Sequence, residues 1–135
     1  MEQAATAGER QYAEYGLTGV RGEAAAGFPS VRNIALPALK AALREGKSLN
    51  DAGLSALLRL MAEVDDSNVL KRGGMDGQAF VRACAKNTEP DHDKLRAMND
   101  DFVRRNLSPG GCADLLAAAY FVQLLEEAEN NCRRS

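Results

Sequence analysis

The chain has 135 residues and a mass of 14.5 kDa, which is enough for one domain with a sizeable core. Its 17 basic and 19 acidic side chains give a net charge of -2, which excludes nucleic-acid binding by bulk electrostatics. The sequence contains neither an apolar run that could span a bilayer nor an N-terminal signal-peptide pattern, so we expect a cytoplasmic protein without membrane contact.

Residue usage predicts an all-α fold, a single domain over residues 1–135 with five to six helices and glycine-rich loops at the candidate site. The chain has 23 Ala and 16 Leu against 7 Val, 1 Ile and 3 Thr. Helix formers therefore dominate over β-branched residues, and no stretch alternates with the period of a strand.

Two helices are predicted before residue 47. The first covers residues 3–15 and ends at Gly16, after which the glycine-rich segment 16–27 interrupts regular structure. The second ends at Gly46, and Pro37 inside it predicts a kink or a restart because proline has no N–H to donate. Its apolar face consists of Val31, Ile34, Ala35, Ala38, Leu39, Ala42 and Leu43.

Further helices follow, most of them with a recognisable start. Ser48 and Asp51 have the spacing of a capping box. After a break at 65–74, one helix covers residues 75–86, and Thr88 is the predicted N-cap of the next. The last helix begins at Ser108 and Pro109 and runs to about Glu129. The residues expected to face inward are Leu54, Leu57, Leu58, Met61 and Val64, then Leu95, Met98 and Phe102, then Leu115, Leu116, Ala119, Val122 and Leu125.

Cysteine and histidine are too few for the common thiolate or imidazole metal sites. Cys84, Cys112 and Cys132 form no C-x-x-C pair, and their odd number argues against a disulfide framework. His92, the only histidine, is expected to be exposed in a polar first turn. Any metal would therefore be a hard cation on oxygen ligands.

Residues 19–32 form the first candidate site segment. Glycines around Arg21 and Glu23 let the backbone approach a ligand closely, and Arg21 and Arg32 are suited to clamp phosphates. A long helix connection with solvated charges explains the same residues equally well.

Residues 64–74 form the second candidate site segment. Asp65, Asp66 and Asn68 place three oxygen ligands within four positions, a pattern that suits Mg²⁺ shared with substrate phosphates, and Lys71 and Arg72 could complete a polyphosphate site. A helix end with an Asx-turn and a glycine cap is the alternative, and spacing alone favours it.

Residues 106–116 form the third candidate site segment. Two glycines follow Pro109 at a helix start, where each disfavours the helix by about 1 kcal/mol. Bare N–H groups at a helix N-terminus allow a phosphate to approach without obstruction, which capping alone does not require. Here we favour a phosphate-binding role.

Together these segments resemble the triphosphoribosyl-dephospho-coenzyme A synthase family. The matching motifs are YGLTGVRGEAAAGFPSVR at 15–32, ALP at 35–37, DDSNVLKRGG at 65–74 and NLSPGGCADLLA at 106–117. The resemblance covers residues 12–126 and corresponds to the C-terminal half of the family. The family usually has Ser at Cys112 and often His at Lys71, and its N-terminal Thr-Pro-Lys-Pro-Gly motif has no counterpart here. A fragment, a truncated product and one subunit of a split enzyme all fit this pattern.

The resemblance implies transfer of the triphosphoribosyl group of ATP to the 2′-hydroxyl of 3′-dephospho-coenzyme A, with release of adenine. The product is the prosthetic-group precursor for the acyl carrier protein of citrate lyase or malonate decarboxylase. The chain would form a homo-oligomer, or a partner chain would supply the N-terminal half. The alternative is a non-catalytic helical fragment or an interaction subunit that completes the site only with a partner chain.

The site residues implied by the resemblance fall into three groups. Asp65, Asp66 and Asn68 would hold Mg²⁺, so Asp66→Asn should abolish Mg²⁺-dependent nucleotide binding. Glu23 or Asp114 would act as base or orient the ribose hydroxyls, with acid and base left unassigned. The phosphate-binding residues would be Arg21, Arg32, Arg72, Asn106, Ser108, Gly110 and Gly111.

Overall fold

The computed structural model describes residues 27–134, and for Arg134 the backbone only. This part consists of a π-helical turn and five α-helices and contains no strand, so the all-α prediction is confirmed. The predicted helix at 3–15, Arg21 and Glu23 lie outside the described residues. The elements are the π-helical turn Val31–Ala35, α1 Leu36–Arg44, α2 Leu49–Glu63, α3 Ser67–Asn87, α4 His92–Arg104 and α5 Gly110–Arg134.

The predicted irregularity at Pro37 takes the form of the π-helical turn. Pro37 lies in the first turn of α1, where its missing N–H costs no hydrogen bond. Directly before it, the Leu36 N–H donates to the Val31 carbonyl, five residues back, which is the π-helical pattern. The helix then ends as predicted, with Gly46 at a φ of 90° and its N–H donating to the Leu43 carbonyl.

Helix α2 lies at the centre of the fold, packed against α1, α3 and α5. Its predicted stripe is only part of its buried surface, since Ala52, Ala56 and Leu60 are buried as well. Gly53 is buried against Tyr120 of α5, and a Cβ at this position would collide with the Tyr120 hydroxyl. A helix surrounded by other helices is apolar on more than one face, and a single-stripe reading therefore missed Leu60.

Helix α3 begins eight residues earlier than the sequence predicts, at Ser67 instead of Met75. The predicted break survives as a kink at Gly74, where φ is 64° and ψ is -161°. Only glycine adopts that conformation readily. The second candidate segment therefore forms the first turns of a helix.

The start of α4 is also corrected. Its N-cap is Asp91, whose carboxylate accepts the Lys94 N–H at 3.0 Å. Thr88, the predicted N-cap, belongs to the end of α3, where its hydroxyl donates to the Cys84 carbonyl at 2.6 Å. A threonine hydroxyl can accept an N–H at the start of a helix or donate to a carbonyl at its end. The spacing of residues in the sequence does not distinguish these two roles.

Helix α5 is buried over its N-terminal half, where Cys112, Leu115 and Ala119 enter the core. Leu125, predicted to be buried, is 48% exposed, and next to it α5 meets α1 through the Lys40–Glu126 ion pair. Each helix within residues 27–134 is too short or too polar to span a bilayer.

Candidate functional site

The carboxylate of Asp66 links the N-termini of α3 and α5. Its Oδ1 accepts the N–H groups of Asn68 at 2.9 Å and Val69 at 3.4 Å, in the first turn of α3. The same carboxylate accepts the N–H groups of Gly111 at 3.2 Å and Cys112 at 2.9 Å, in the first turn of α5. Asp66 is 2% exposed, and the positive ends of two helix dipoles compensate its buried charge.

This carboxylate explains how α5 is capped. Ser108 was the predicted N-cap, yet the helix starts at Gly110 and its first-turn N–H groups bond to Asp66 of another helix. The anion position at this helix start is therefore filled by a side chain of the protein. Phosphate binding at Ser108, Gly110 and Gly111 stays a prediction, and it would have to use atoms other than the N–H groups of Gly111 and Cys112.

The two glycines at the start of α5 allow the close approach of α3. A Cβ on Gly111 would lie 2.9 Å from Asp66 Oδ1 and 3.1 Å from its Cγ. A Cβ on Gly110 would lie 2.7 Å from the Asn68 side-chain nitrogen. Packing against α3 is thus a sufficient reason for Gly111, whereas a Cβ on Gly110 would meet the end of an exposed side chain. We call the contact among Asp66, Asn68, Gly110, Gly111 and Cys112 the α3–α5 junction.

The segment between α4 and α5 runs along α3 in the opposite direction. The Arg105 guanidinium lies 3.9 Å from the centre of the Phe80 ring, and Leu107 then covers Gly77 and Gly73. A Cβ on Gly73 would lie 2.5 Å from a Leu107 methyl carbon. The second and third candidate segments, separated in sequence, are therefore in contact from Gly73 and Leu107 to Asp66 and Cys112.

Asn106 has a backbone role in this segment. Its φ is 55°, and its N–H donates to the Val103 carbonyl while the Leu107 N–H donates to the Phe102 carbonyl. These bonds are a Schellman motif, in which the residue after the helix cap is left-handed, and asparagine tolerates that conformation better than other non-glycine residues. The side chain is exposed, so its predicted contact with phosphate stays open.

Cys112 lies inside the junction, 1% exposed. Burial raises the pKa of the Cys112 thiol, and Asp66 raises it further by its negative charge and by accepting a hydrogen bond from the sulfur. The raised pKa keeps the thiol protonated at neutral pH. A protonated, buried thiol is not a nucleophile, so Cys112 contributes packing and one weak donor.

Asp65, Asp66 and Asn68 do not fit a three-ligand Mg²⁺ site as they are arranged. The Asp66 carboxylate already accepts four backbone N–H groups. Asp65 is paired with Arg82, Oδ1 to Nη2, at 2.6 Å. Within the described part of the chain no three His, Cys, Asp or Glu residues are grouped as metal ligands.

The surface beside the junction carries the remaining predicted residues of the second and third segments. Asn68, Lys71 and Arg72 are exposed on α3 and, at spacings of three and four, share one helix face. Asp114 is exposed on α5, one turn after Gly110. Near the junction, α3 therefore exposes two cations and α5 one carboxylate.

Of the first segment, only residues from Gly27 onward are described. Arg32 is exposed, and its Nε donates to the Gly27 carbonyl at 2.7 Å. Phe28 has a φ of 55°, so the chain turns sharply there before the π-helical turn. Arg32 thus stabilises this turn, while its guanidinium stays open to solvent.

Two residues of this region were missed from the sequence. Gln78 is 2% exposed, and its Oε1 accepts the Asp66 N–H at 2.7 Å. Arg82, one turn further on α3, holds Asp65. Their signal was weak, since a glutamine and an arginine four residues apart are common on a solvated helix face.

Comparison with known proteins places the chain among one group of relatives. The profile of the ATP:dephospho-CoA triphosphoribosyl transferase family matches residues 1–133. A probable 2-(5″-triphosphoribosyl)-3′-dephosphocoenzyme-A synthase of Pectobacterium carotovorum is 52% identical over 122 residues, which cover 88% of this chain and 40% of that protein. Proteins given the same probable function in Vibrio cholerae and Salmonella typhimurium are 44% and 39% identical, over 87% of this chain and 40% and 41% of theirs. The chain thus spans about two fifths of the length of these relatives. No solved structure matches it.

Proposed function

Since the chain belongs to the ATP:dephospho-CoA triphosphoribosyl transferase family, we propose that it takes part in transferring the triphosphoribosyl group of ATP to 3′-dephospho-coenzyme A, with release of adenine. The observation that carries this proposal is the match of the family profile to residues 1–133. The product would be the prosthetic-group precursor of an acyl carrier protein, that of citrate lyase or malonate decarboxylase.

The α3–α5 junction supplies a rigid support for this chemistry. Asp66 fixes the first turns of α3 and α5 against each other, so the exposed side chains of those turns keep a constant spacing. Lys71 and Arg72 would neutralise triphosphate charge, and Asp114 would accept a proton from the attacking hydroxyl or orient the ribose. Arg32 and, outside the described residues, Arg21 and Glu23 stay in the proposal as further phosphate and ribose contacts.

Cleavage of the bond between ribose and adenine develops positive charge on the ribose, as in glycoside hydrolysis. An exposed carboxylate such as Asp114 would stabilise that charge, and cations on α3 would hold the triphosphate of the transferred group in place while adenine departs as the leaving group. Mg²⁺ enters this proposal only as the ion that accompanies ATP phosphates, since Asp66 is not free to hold it.

Calorimetric titration with ATP, with and without Mg²⁺, tests the nucleotide site. Saturable binding that Lys71→Ala and Arg72→Ala weaken supports the proposal, and the matched control is Arg96→Ala on the exposed face of α4. Mass spectrometry of adenine and of the coenzyme product, with dephospho-coenzyme A added, then tests transfer itself. Unchanged binding in both α3 variants would contradict the phosphate role of this surface.

A second candidate function is an interaction subunit that completes its site only with a partner chain. It is favoured by an apolar stripe on α5, where Phe121, Leu124 and Leu125 are 64%, 51% and 48% exposed. These side chains stand at spacings of three and four and so form one face. Soluble monomers rarely leave such a face uncovered.

Light scattering distinguishes the two candidates. The molar mass is measured for the chain alone and after it is mixed with the part of the Pectobacterium relative, about three fifths of its length, that this chain does not match. A complex that forms with the wild type and is lost in Phe121→Ser/Leu124→Ser supports the interaction subunit, particularly when adenine release appears only in the mixture. Adenine release by the chain alone would exclude it.

A further inference from the structure

Gln78 and Arg82 reach back from α3 to the same dipeptide. The Gln78 Oε1 accepts the Asp66 N–H at 2.7 Å, and Arg82 Nη2 donates to Asp65 Oδ1 at 2.6 Å. The two side chains are one helical turn apart, so their end groups converge beside Asp65 and Asp66. Their convergence is fixed by these two bonds.

Each of the two side chains has a buried donor without an acceptor among the described residues. These donors are Gln78 Nε2 and Arg82 Nε. Reversing the Gln78 amide does not help, because its oxygen is needed by the Asp66 N–H. A buried donor left unpaired costs roughly 1–3 kcal/mol, so two of them on one helix face indicate an acceptor that residues 27–134 do not provide.

The charges of the two neighbouring carboxylates are compensated, so they do not exclude an anionic acceptor. The charge of Asp66 is compensated by two helix N-termini, and that of Asp65 by Arg82. The Asp65 and Arg82 side chains are 43% and 34% exposed, so this side of the cluster opens to solvent while Gln78 forms its buried end. Arginine is the side chain best suited to bind phosphate oxygens.

We propose that Gln78 Nε2 and Arg82 Nε bind one phosphate oxygen of the nucleotide substrate. The inference rests on the proposed function for its substrate and assigns to that site two residues that the family motifs did not indicate. The ligand reaches the donors from the Asp65 side, and Gln78 sets the depth to which the phosphate enters. Lys71 and Arg72 are then left for the rest of the polyphosphate.

Calorimetric titration with inorganic triphosphate in EDTA tests this site without any transferase chemistry. Arg82→Lys keeps a positive charge for Asp65 and removes Nε, and Gln78→Glu keeps the acceptor for the Asp66 N–H and removes the donor. Arg59→Lys is the matched control, since Arg59 forms an exposed ion pair with Glu63 on α2. Circular dichroism melting confirms that each variant is folded, and Arg82→Lys decides the test where Gln78→Glu fails to fold.

The expected result is a dissociation constant about tenfold higher or more for Arg82→Lys, as expected for loss of a hydrogen bond to a charged group, and a change of less than about twofold for Arg59→Lys. Equal affinities of wild type and Arg82→Lys would overturn the inference. The absence of triphosphate binding to the wild type would also overturn it. So would a result in which the substitutions weaken the binding of adenosine and leave the binding of triphosphate unchanged. Adenine release is measured separately, so the proposed function can stand or fail independently.

Discussion

The carboxylate of Asp66 accepts the backbone N–H of Cys112 at 2.9 Å, across 46 positions of sequence, and so caps a helix to which Asp66 does not belong. The same side chain caps its own helix through Asn68 and Val69. One buried carboxylate therefore sets the distance between two helix starts. Substitutions in and around this contact separate a structural role from a role in ligand binding.

Replacing Asp66 by Asn should lower the free energy of unfolding by about 1–3 kcal/mol, because the new amide group would face an N–H donor of α5. Urea unfolding in EDTA without nucleotide measures this change. The control is Asp65→Asn, which loses only a partly exposed ion pair and should change stability by less than about 1 kcal/mol. A metal-ligand role for Asp66 predicts instead no loss of stability under these metal-free conditions.

Replacing Gly111 by Ala should destabilise the protein by about 1–3 kcal/mol, since its Cβ would press on the fixed Asp66 carboxylate. Gly110→Ala is the matched control. Its Cβ meets only the end of the exposed Asn68 side chain, which can move, so the expected change is less than about 1 kcal/mol. Thermal melting of both variants measures the difference, and equal melting temperatures would contradict the packing role of Gly111.

Replacing Asn106 by Gly should leave stability nearly unchanged, whereas Asn106→Ala should cost about 1–2 kcal/mol because alanine resists the left-handed conformation. Urea unfolding compares the two variants. The same pair also tests the predicted phosphate contact. A loss of ATP affinity in Asn106→Gly at unchanged stability would show that the side chain, and not only its backbone, serves the ligand.

The three thiols should differ in reactivity with a disulfide reagent. Cys132 is exposed and should react within the mixing time, Cys84 is half-buried and should react more slowly, and Cys112 should react only after unfolding. The raised pKa of Cys112 means that its thiolate stays scarce from neutral to mildly alkaline pH. Counting released chromophore at pH 7 and pH 9, with and without guanidinium, tests this order. Fast reaction of Cys112 in the native protein would contradict its place in the junction.

Local sequence patterns determined the helical class and several of its boundaries. Composition predicted an all-α fold, Gly46 the end of α1 and Ser48 the start of α2, where its Oγ accepts the Asp51 N–H at 3.1 Å. These features depend on residues within one turn of each other, so their spacing is readable without a structure. The motifs also marked the second and third segments as special, and these segments do meet.

What the tertiary structure alone decided is how the marked residues are used. Asp65, Asp66 and Asn68 have the spacing of metal ligands, but Asp66 turns inward to α5 and Asp65 pairs with Arg82, seventeen positions away. Gly111, one of the two glycines that suggested a phosphate cradle, makes room for that carboxylate. A cap supplied by a distant helix leaves no local pattern, because its donor and acceptor are brought together only when the helices pack. For the same reason the unpartnered donors of Gln78 and Arg82 could be found only in the folded protein.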